Sequence, residues 1–302
     1  MRMSKRKINI LAIVGQTASG KSTLAIKLAT LLNGEIISAD SRQVYKGMDI
    51  GSGKVTNQER RVVPHHLLDV ASPKRNYTVA HFVRDARISI KTIARNNKLP
   101  IICGGTGFWV DTLLYDLPIA QVPPHPSFRK KMTRLNVEQL FTKLKKLNPR
   151  RARTIDQNNP VRLIRAIEVE TFGTLPNLHK KNQSPYSVTW IGLHPQDCVL
   201  KTQIHRRLMS RFTKGMVQEV RHLHASGVSW KRLEKFGLEY RDIAQYLQHK
   251  TTKQEMILNL EKNIRAYAKR QMTWFKRNNQ IMWFSLPSKA FAYCIKNFKK
   301  NL

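Results

Sequence analysis

The segment Gly15-Gln16-Thr17-Ala18-Ser19-Gly20-Lys21-Ser22 satisfies G-x-x-x-x-G-K-[ST]. An apolar run, residues 8–14, precedes it, and helically spaced apolar residues (Leu24, Ala25, Leu28, Leu31, Leu32) follow. Strand, glycine loop, helix is the context in which such a loop cradles phosphates. Its glycines let backbone N–H groups turn toward phosphate oxygens, and the helix N-terminus adds partial positive charge. Lys21 neutralises terminal phosphates, and the Ser22 hydroxyl is placed to ligate Mg²⁺. This chemistry specifies a di- or triphosphate, and nothing in it reads a base or a ribose.

Asp40 stands at the end of a short buried run, residues 35–39. Beside a phosphate loop, its carboxylate suits taking a proton from an acceptor that attacks a bound phosphate ester. Capping the next turn and standing behind Mg²⁺ are equally open readings of the same residue. A third apolar run, residues 99–103, ends in Gly104-Gly105-Thr106-Gly107. His65, His66 and Asp69 invite a metal reading, but neighbours on a strand point to opposite faces, so structural hydrogen bonding is expected instead.

These residues need a frame. Strand-like runs at 8–14, 35–39, 99–103 and 187–193 alternate with helical patterns, among them 78–96 with Thr78 as its cap, which implies a parallel α/β sheet. Ligands of such sheets bind beyond the carboxyl ends of the strands, where the 15–22 loop, Asp40 and Thr106 all fall. The expected fold is an α/β P-loop parallel sheet core flanked by helices, with an inserted helical subdomain. Residues 1–117 and 187–302 form the core, and the Pro-rich stretch at 118–126 opens an insert spanning 118–186. Within the insert, Asn159 and Pro160 are a natural N-cap and first helical residue for 161–172. Residues 198–225, 238–248 and 252–277 read as helices, and 280–285 as an edge strand. Trp190, Trp230 and Trp283 are assigned to the core, and Tyr267, Trp274 and Phe275 are read as packing anchors rather than stacking platforms.

The charge narrows the partner. Fifty-four Lys and Arg against 19 Asp and Glu give a formal +35, which points to a polyanion, nucleic acid first. On 257–277, Lys262, Arg265, Lys269 and Lys276 fall near one helical face. Three widely separated cysteines suggest neither a disulfide framework nor a zinc site, and no apolar run approaches bilayer-spanning length, so a cytoplasmic protein with no membrane role is expected.

Six stretches, GQTASGKS (15–22), ISADSRQVYKGMDIGSGK (37–54), VPHHLLD (63–69), GGTGFW (104–109), NPVRLIRAIEV (159–169) and YAKRQMTWFKR (267–277), resemble the tRNA dimethylallyltransferases over nearly the whole chain. The resemblance implies transfer of an isoprenoid from dimethylallyl diphosphate to N6 of adenosine 37 in a tRNA anticodon stem-loop, with Mg²⁺ as cofactor and no nucleotide consumed. It implies a diphosphate site at Gly15 to Ser22 with Arg207, catalytic roles for Asp40 and Thr106, and tRNA contacts from Asp40, Ser41, Arg42, Gln43 and Thr106. Val161, Arg162, Leu163, Ile164, Arg165, Gly237, Tyr240 and Arg241 match further positions where the family grips tRNA. The chain departs from the family in carrying Gln16 for a usual Pro, Phe108-Trp109 for Leu-Tyr, and Gln203 for Arg. A monomer is expected. The competing readings are a P-loop small-molecule kinase, a prenyltransferase acting on free adenylate, and a tRNA-binding protein with an inert loop.

Overall fold

The computed structural model describes residues 7–120, 122–173 and 184–298. The chain divides into two compact units, 1–115 with 184–302, and 116–183.

The first unit is built on six parallel strands, β1 (Asn9–Gly15), β2 (Gly34–Ser38), β3 (His65–His66), β4 (Leu99–Cys103), β5 (Ser187–Leu193) and β6 (Met282–Phe284), in the order β3-β2-β4-β1-β5-β6. β1 is central because both its faces are apolar: Ile10, Leu11, Ala12, Ile13 and Val14 are at most 1% exposed. Helices α1 (Lys21–Leu31), α2 (Asn57–Val62), α3 (Val79–Arg95) and α4 (Gly107–Leu114) come from the first half of this unit. Leu24, Ala25, Leu28 and Ala29 of α1 pack on Leu11 and Ile13. Thr78 caps α3 through a reciprocal capping box with His81.

The second unit carries α5 (Pro126–Met132), α6 (Val137–Leu147), α7 (Pro149–Thr154) and α8 (Pro160–Phe172), closed around Met132, Leu140, Leu144, Leu163 and Ile167. Asn159 caps α8, accepting the Arg162 N–H, and Pro160 is its first residue. Glu168, wholly buried in α8, accepts from Arg129 at 2.8 and 2.6 Å, from Arg165 at 2.6 Å and from the His125 N–H at 2.8 Å. Burial works against the ionised carboxylate, but Arg129, the His125 N–H and Arg165 outweigh it and hold the pKa at about 2.

Helices α9 (Asp197–Thr213), α10 (Met216–Ala225), α11 (Trp230–Phe236), α12 (Leu238–Leu247), α13 (Lys253–Phe275) and α14 (Pro287–Phe298) complete the first unit. The expected single helix over 198–225 is two, because Gly215 takes the left-handed conformation (φ +91°) and turns the chain between α9 and α10. β3 is two residues long, too short for its alternation to register in sequence, and α14 lies where the sequence reading placed nothing. Trp190 is core, whereas Trp230 is half-buried against the His224 ring and Trp283 is half-buried near His194.

Candidate active site

The loop after β1, the segment after β2 and the glycine loop after β4 meet at the carboxyl edge of the sheet because the three strands are neighbours in register. Gly15 has φ +133°, and a Cβ there would stand 2.3 Å from the Leu193 carbonyl oxygen, so only glycine lets β1 leave the sheet at this point. Gly104 is held to the same requirement by the Ala39 carbonyl, 2.3 Å from its absent Cβ.

Residues 18–22 line a cleft of about 930 Å³ together with Gly53, Lys54, Glu59, Arg60, Asp69, Gln203, Arg206, Arg207, Arg211 and Lys214. Its Lys and Arg residues outnumber its acidic ones, Asp49, Glu59 and Asp69, so the lining is net positive. Three buried polar atoms with no protein hydrogen-bond partner, Ser19 Oγ, Arg60 Nε and Gln203 Oε1, belong to residues of this one cleft. Buried polar groups are rarely left unpaired, so they mark a place for a polar ligand and its water. Gly15 and Gln16, expected to bind diphosphate, stand behind the loop and line no part of the cleft. Gln16 is buried, its Oε1 lies 3.0 Å from His194 Nδ1, and its carbonyl accepts the Lys21 ammonium and the Ser19 N–H. The Thr17 N–H is likewise spent on a protein acceptor, Gln271 Oε1, at 2.7 Å.

Lys21, Ser22 and Arg207 also line a smaller inner pocket of about 60 Å³, together with Asp40, Gln43, Cys103, Gly105, Tyr267 and Gln271. The candidate phosphate-binding cations and the candidate base therefore share one enclosure. Asp40 Oδ1 accepts the Arg42 N–H at 2.8 Å and the Gln43 N–H at 3.4 Å, while Oδ2 has no hydrogen bond among the described residues. Both local readings of Asp40 thus hold at once: one oxygen caps the turn, and the other is uncommitted. Thr106 begins α4 without capping it. Its hydroxyl instead accepts the Ser41 N–H at 3.1 Å, tying the β4 loop to the residue beside Asp40.

Burial is the largest influence on the Lys21 ammonium. It lowers the pKa to about 8, helped by Arg207 and opposed by Cys103 and Asp40. Burial, then the neighbouring Arg211, brings Arg207 to about 10. Both cations are thereby destabilised in a way that an arriving polyphosphate would relieve. The Tyr267 phenol is pushed up to about 12 by burial and by Asp40, opposed by the nearby Arg42, Thr106 and Gln271, so it stays protonated and able to donate.

Tyr267 and Gln271 are pocket-lining residues that the sequence does not disclose as such. Gln271 is buried and joins two loops, with Oε1 on the Thr17 N–H and Nε2 on the Gly105 carbonyl at 3.0 Å. Both lie one turn apart in YAKRQMTWFKR, where the 3.6-residue period was visible but the loops that α13 crosses were not. Tyr267, half-buried, accordingly lines the inner pocket. Phe275 is core, and Trp274 is half-buried, donating from Nε1 to Asp111 at 2.7 Å. His65 and His66 are hydrogen-bonded to the Val63 carbonyl and Glu35, and Asp69 is paired with Lys54 and Arg60. Trp109 is buried against Phe82 and Tyr77, while Phe108 is exposed.

The remaining predicted RNA positions divide by burial. Ser41, Arg42 and Gln43 are half-buried. Arg42 Nε donates to the Phe236 carbonyl at 2.6 Å, and the Gln43 amide bridges Ser38 and Gly53. In the second unit Val161 and Arg162 are exposed, Leu163 and Ile164 are core, and Arg165 is anchored on Glu168. Leu163 and Ile164 are therefore corrected to packing residues, since a helix turns its third and fourth positions toward the core face. Gly237 and Arg241 are half-buried, but Tyr240 is only 1% exposed and cannot touch a macromolecule.

The chain matches the profile of the IPP transferases over residues 43–278 and that of the isopentenyl transferases over residues 8–71. It belongs to the IPP transferase family. The tRNA dimethylallyltransferase of Anoxybacillus flavithermus is 37% identical over 282 residues, covering 92% of this chain and 90% of that relative. That of Caldanaerobacter subterraneus subsp. tengcongensis is 38% identical over 288 residues, 92% and 91% of the two chains. The full-length tRNA isopentenylpyrophosphate transferase of Bacillus halodurans has a TM-score of 0.73 at 35% identity, over 98% of this chain and 96% of its own. A eukaryotic dimethylallyltransferase acting on tRNA shares the fold, with a TM-score of 0.82 at 24% identity over 97% and 80%. Among the described residues no helix is long and apolar enough to cross a membrane.

Proposed function

We propose that this IPP transferase moves the dimethylallyl group of dimethylallyl diphosphate to N6 of adenosine 37 in the anticodon loop of tRNA, releasing pyrophosphate. The observation that carries this reading is that Lys21, Ser22 and Arg207 line both the cationic cleft and the pocket of Asp40. A leaving diphosphate and a group accepting a proton are then neighbours across one reacting carbon.

An allylic diphosphate ionises early, and the N6 lone pair is delocalised into the adenine ring, so the rate depends on stabilising the leaving diphosphate. Lys21, Arg207 and the N–H groups at the start of α1 supply that stabilisation from fixed positions. The uncommitted Oδ2 of Asp40 takes the N6 proton, Tyr267 lines the same pocket, and Thr106, outside the lining of both cavities, steadies Ser41 beside Asp40. Adenosine 37 reaches this pocket only when turned out of its stack, at a cost of a few kcal/mol that contacts to the basic surface offset. Ser22, whose hydroxyl has no protein hydrogen bond among the described residues, suits Mg²⁺. No cluster of three or more His, Cys, Asp or Glu able to hold a metal occurs among those residues, so the ion would ride on the diphosphate with Ser22 as its protein ligand. When bound it neutralises charge on the leaving group. The reaction needs no nucleotide hydrolysis, and the formal +35 suits a tRNA acceptor better than free adenylate.

Cells lacking this protein should lose N6-isopentenyladenosine and its derivatives from their tRNA, read by mass spectrometry of digested nucleosides, and regain them on complementation. Unchanged tRNA with loss of a free prenylated adenine nucleotide would move the assignment to the adenylate enzyme.

A further inference from the structure

The burial of Tyr240 leads to a different role for its surroundings. Residues 49–54 form a tight turn, with the Gly53 N–H on the Ile50 carbonyl and the Lys54 N–H on the Asp49 carbonyl, at 3.0 and 2.9 Å. The four successive N–H groups of Asp49, Ile50, Gly51 and Ser52 all point to acceptors on distant helices. Glu219 of α10 takes three of them, Asp49 at 2.7 Å and Ile50 at 2.6 Å on Oε2, and Gly51 at 3.0 Å on Oε1. The Tyr240 hydroxyl of α12 accepts the fourth, Ser52, at 3.1 Å and donates its own proton to Glu219 Oε1 at 2.9 Å. Such a concave run of N–H groups is an anion-binding arrangement, filled here by the protein's own carboxylate, which is 9% exposed. Burial, followed by the nearby Glu219, pushes the Tyr240 phenol well above its ordinary pKa, so the hydroxyl stays a donor.

The turn ends at Gly53, with φ +60°. Its carbonyl accepts from Arg207 at 3.2 Å and from Gln43 at 3.3 Å. A Cβ on Gly53 would lie 2.0 Å from an Arg211 nitrogen and 2.2 Å from an Arg207 nitrogen, so both guanidinium groups press against this residue. Arg211 is in turn fixed by Glu239, the residue before Tyr240, at 2.7 Å. A continuous chain of bonds runs from Glu219 through the turn to the arginine that lines both cavities.

We propose that Glu219 is a positioning residue for the diphosphate site, its carboxylate and the Tyr240 hydroxyl holding residues 49–52 so that Gly53 sets Arg207 against the ligand. This rests on the reading of the cleft as the donor site. A carboxylate is required because four donors converge on its two oxygens. An amide of the same shape turns an NH₂ toward N–H or O–H groups and leaves at least one of them unpaired.

The test is calorimetric binding of inorganic pyrophosphate with Mg²⁺ to the full chain, with steady-state kinetics alongside. Glu219→Gln should weaken pyrophosphate binding and raise the donor KM about tenfold, leaving the dissociation constant for an anticodon stem-loop within about twofold. Gly53→Ala, which leaves the Glu219 bonds intact but intrudes on both guanidinium groups, should reproduce the same donor defect. Tyr240→Phe, which keeps the ring packing, serves if Glu219→Gln does not fold, and should show the defect in weaker form. A folded Glu219→Gln, or Tyr240→Phe in its place, with a lowered Tm but wild-type pyrophosphate affinity and donor KM would overturn the inference. If Lys21→Ala also left pyrophosphate binding untouched, the failure would lie with the donor-site reading instead.

Discussion

Asp40→Asn is expected to lower kcat by about 10²–10⁴ while changing the affinity for the anticodon stem-loop little. Asparagine is close to isosteric and retains one carbonyl oxygen, so the Arg42 N–H that Asp40 Oδ1 accepts at 2.8 Å keeps its partner and the turn after β2 keeps its shape. What is lost is the oxygen without a partner, the only feature of Asp40 that structure alone does not use. The split between kcat and RNA affinity is therefore diagnostic. Parallel losses in both, measured by single-turnover kinetics and equilibrium binding, would make Asp40 a structural or RNA-contacting residue and remove the base from the mechanism.

Lys21→Ala should reduce kcat/KM for the prenyl donor by about 10²–10³, with RNA affinity again preserved. The side chain is held by the Gln16 carbonyl, inside its own loop, so its removal breaks no contact to a distant element. Titration supplies a second readout. With a pKa lowered to about 8, the ammonium of the free enzyme is charged below that pH and lost above it, so donor affinity should fall as pH rises through 8. Lys21→Arg should carry that alkaline loss to higher pH. Stability runs the other way. The unfolded lysine keeps its proton to about 10.5, so between 8 and 10.5 the unfolded chain binds more protons and stability rises with pH. The buried charge opposes folding and favours the ligand. An alkaline profile identical in wild type and Lys21→Arg would show that another group governs donor binding.

The parts of the site that lie on strand ends were legible in the sequence, because an apolar run that stops at a glycine or a carboxylate announces both the strand and its carboxyl edge. Asp40, Thr106 and the 15–22 loop are legible that way. The parts contributed by helices crossing over that edge were not. Gln271 and Tyr267 look in sequence like the inner face of one more amphipathic helix, and only the packing of α13 turns them onto Thr17, Gly105 and the Asp40 pocket. Tyr240 failed in the opposite direction. It lies inside a segment matched to RNA contacts, yet its ring closes the core and its hydroxyl serves the 49–52 turn. Leu163 and Ile164 differ likewise: the family resemblance spans five successive helical residues, yet these two face the core while Val161 and Arg162 are exposed and Arg165 is half-buried. The break at Gly215 was hidden because a single glycine among helix formers reads equally well as a tolerated defect.

The most direct measurement combines purified protein, Mg²⁺, radiolabelled dimethylallyl diphosphate and an anticodon stem-loop with adenosine 37 flanked by adenosines, with no nucleotide triphosphate present. Label should enter the RNA at N6 of adenosine 37, one pyrophosphate should appear for each prenyl group transferred, and added ATP should not be hydrolysed. An RNA that stays unlabelled while ATP is turned over to ADP would contradict the assignment of the Lys21 cleft to a departing diphosphate.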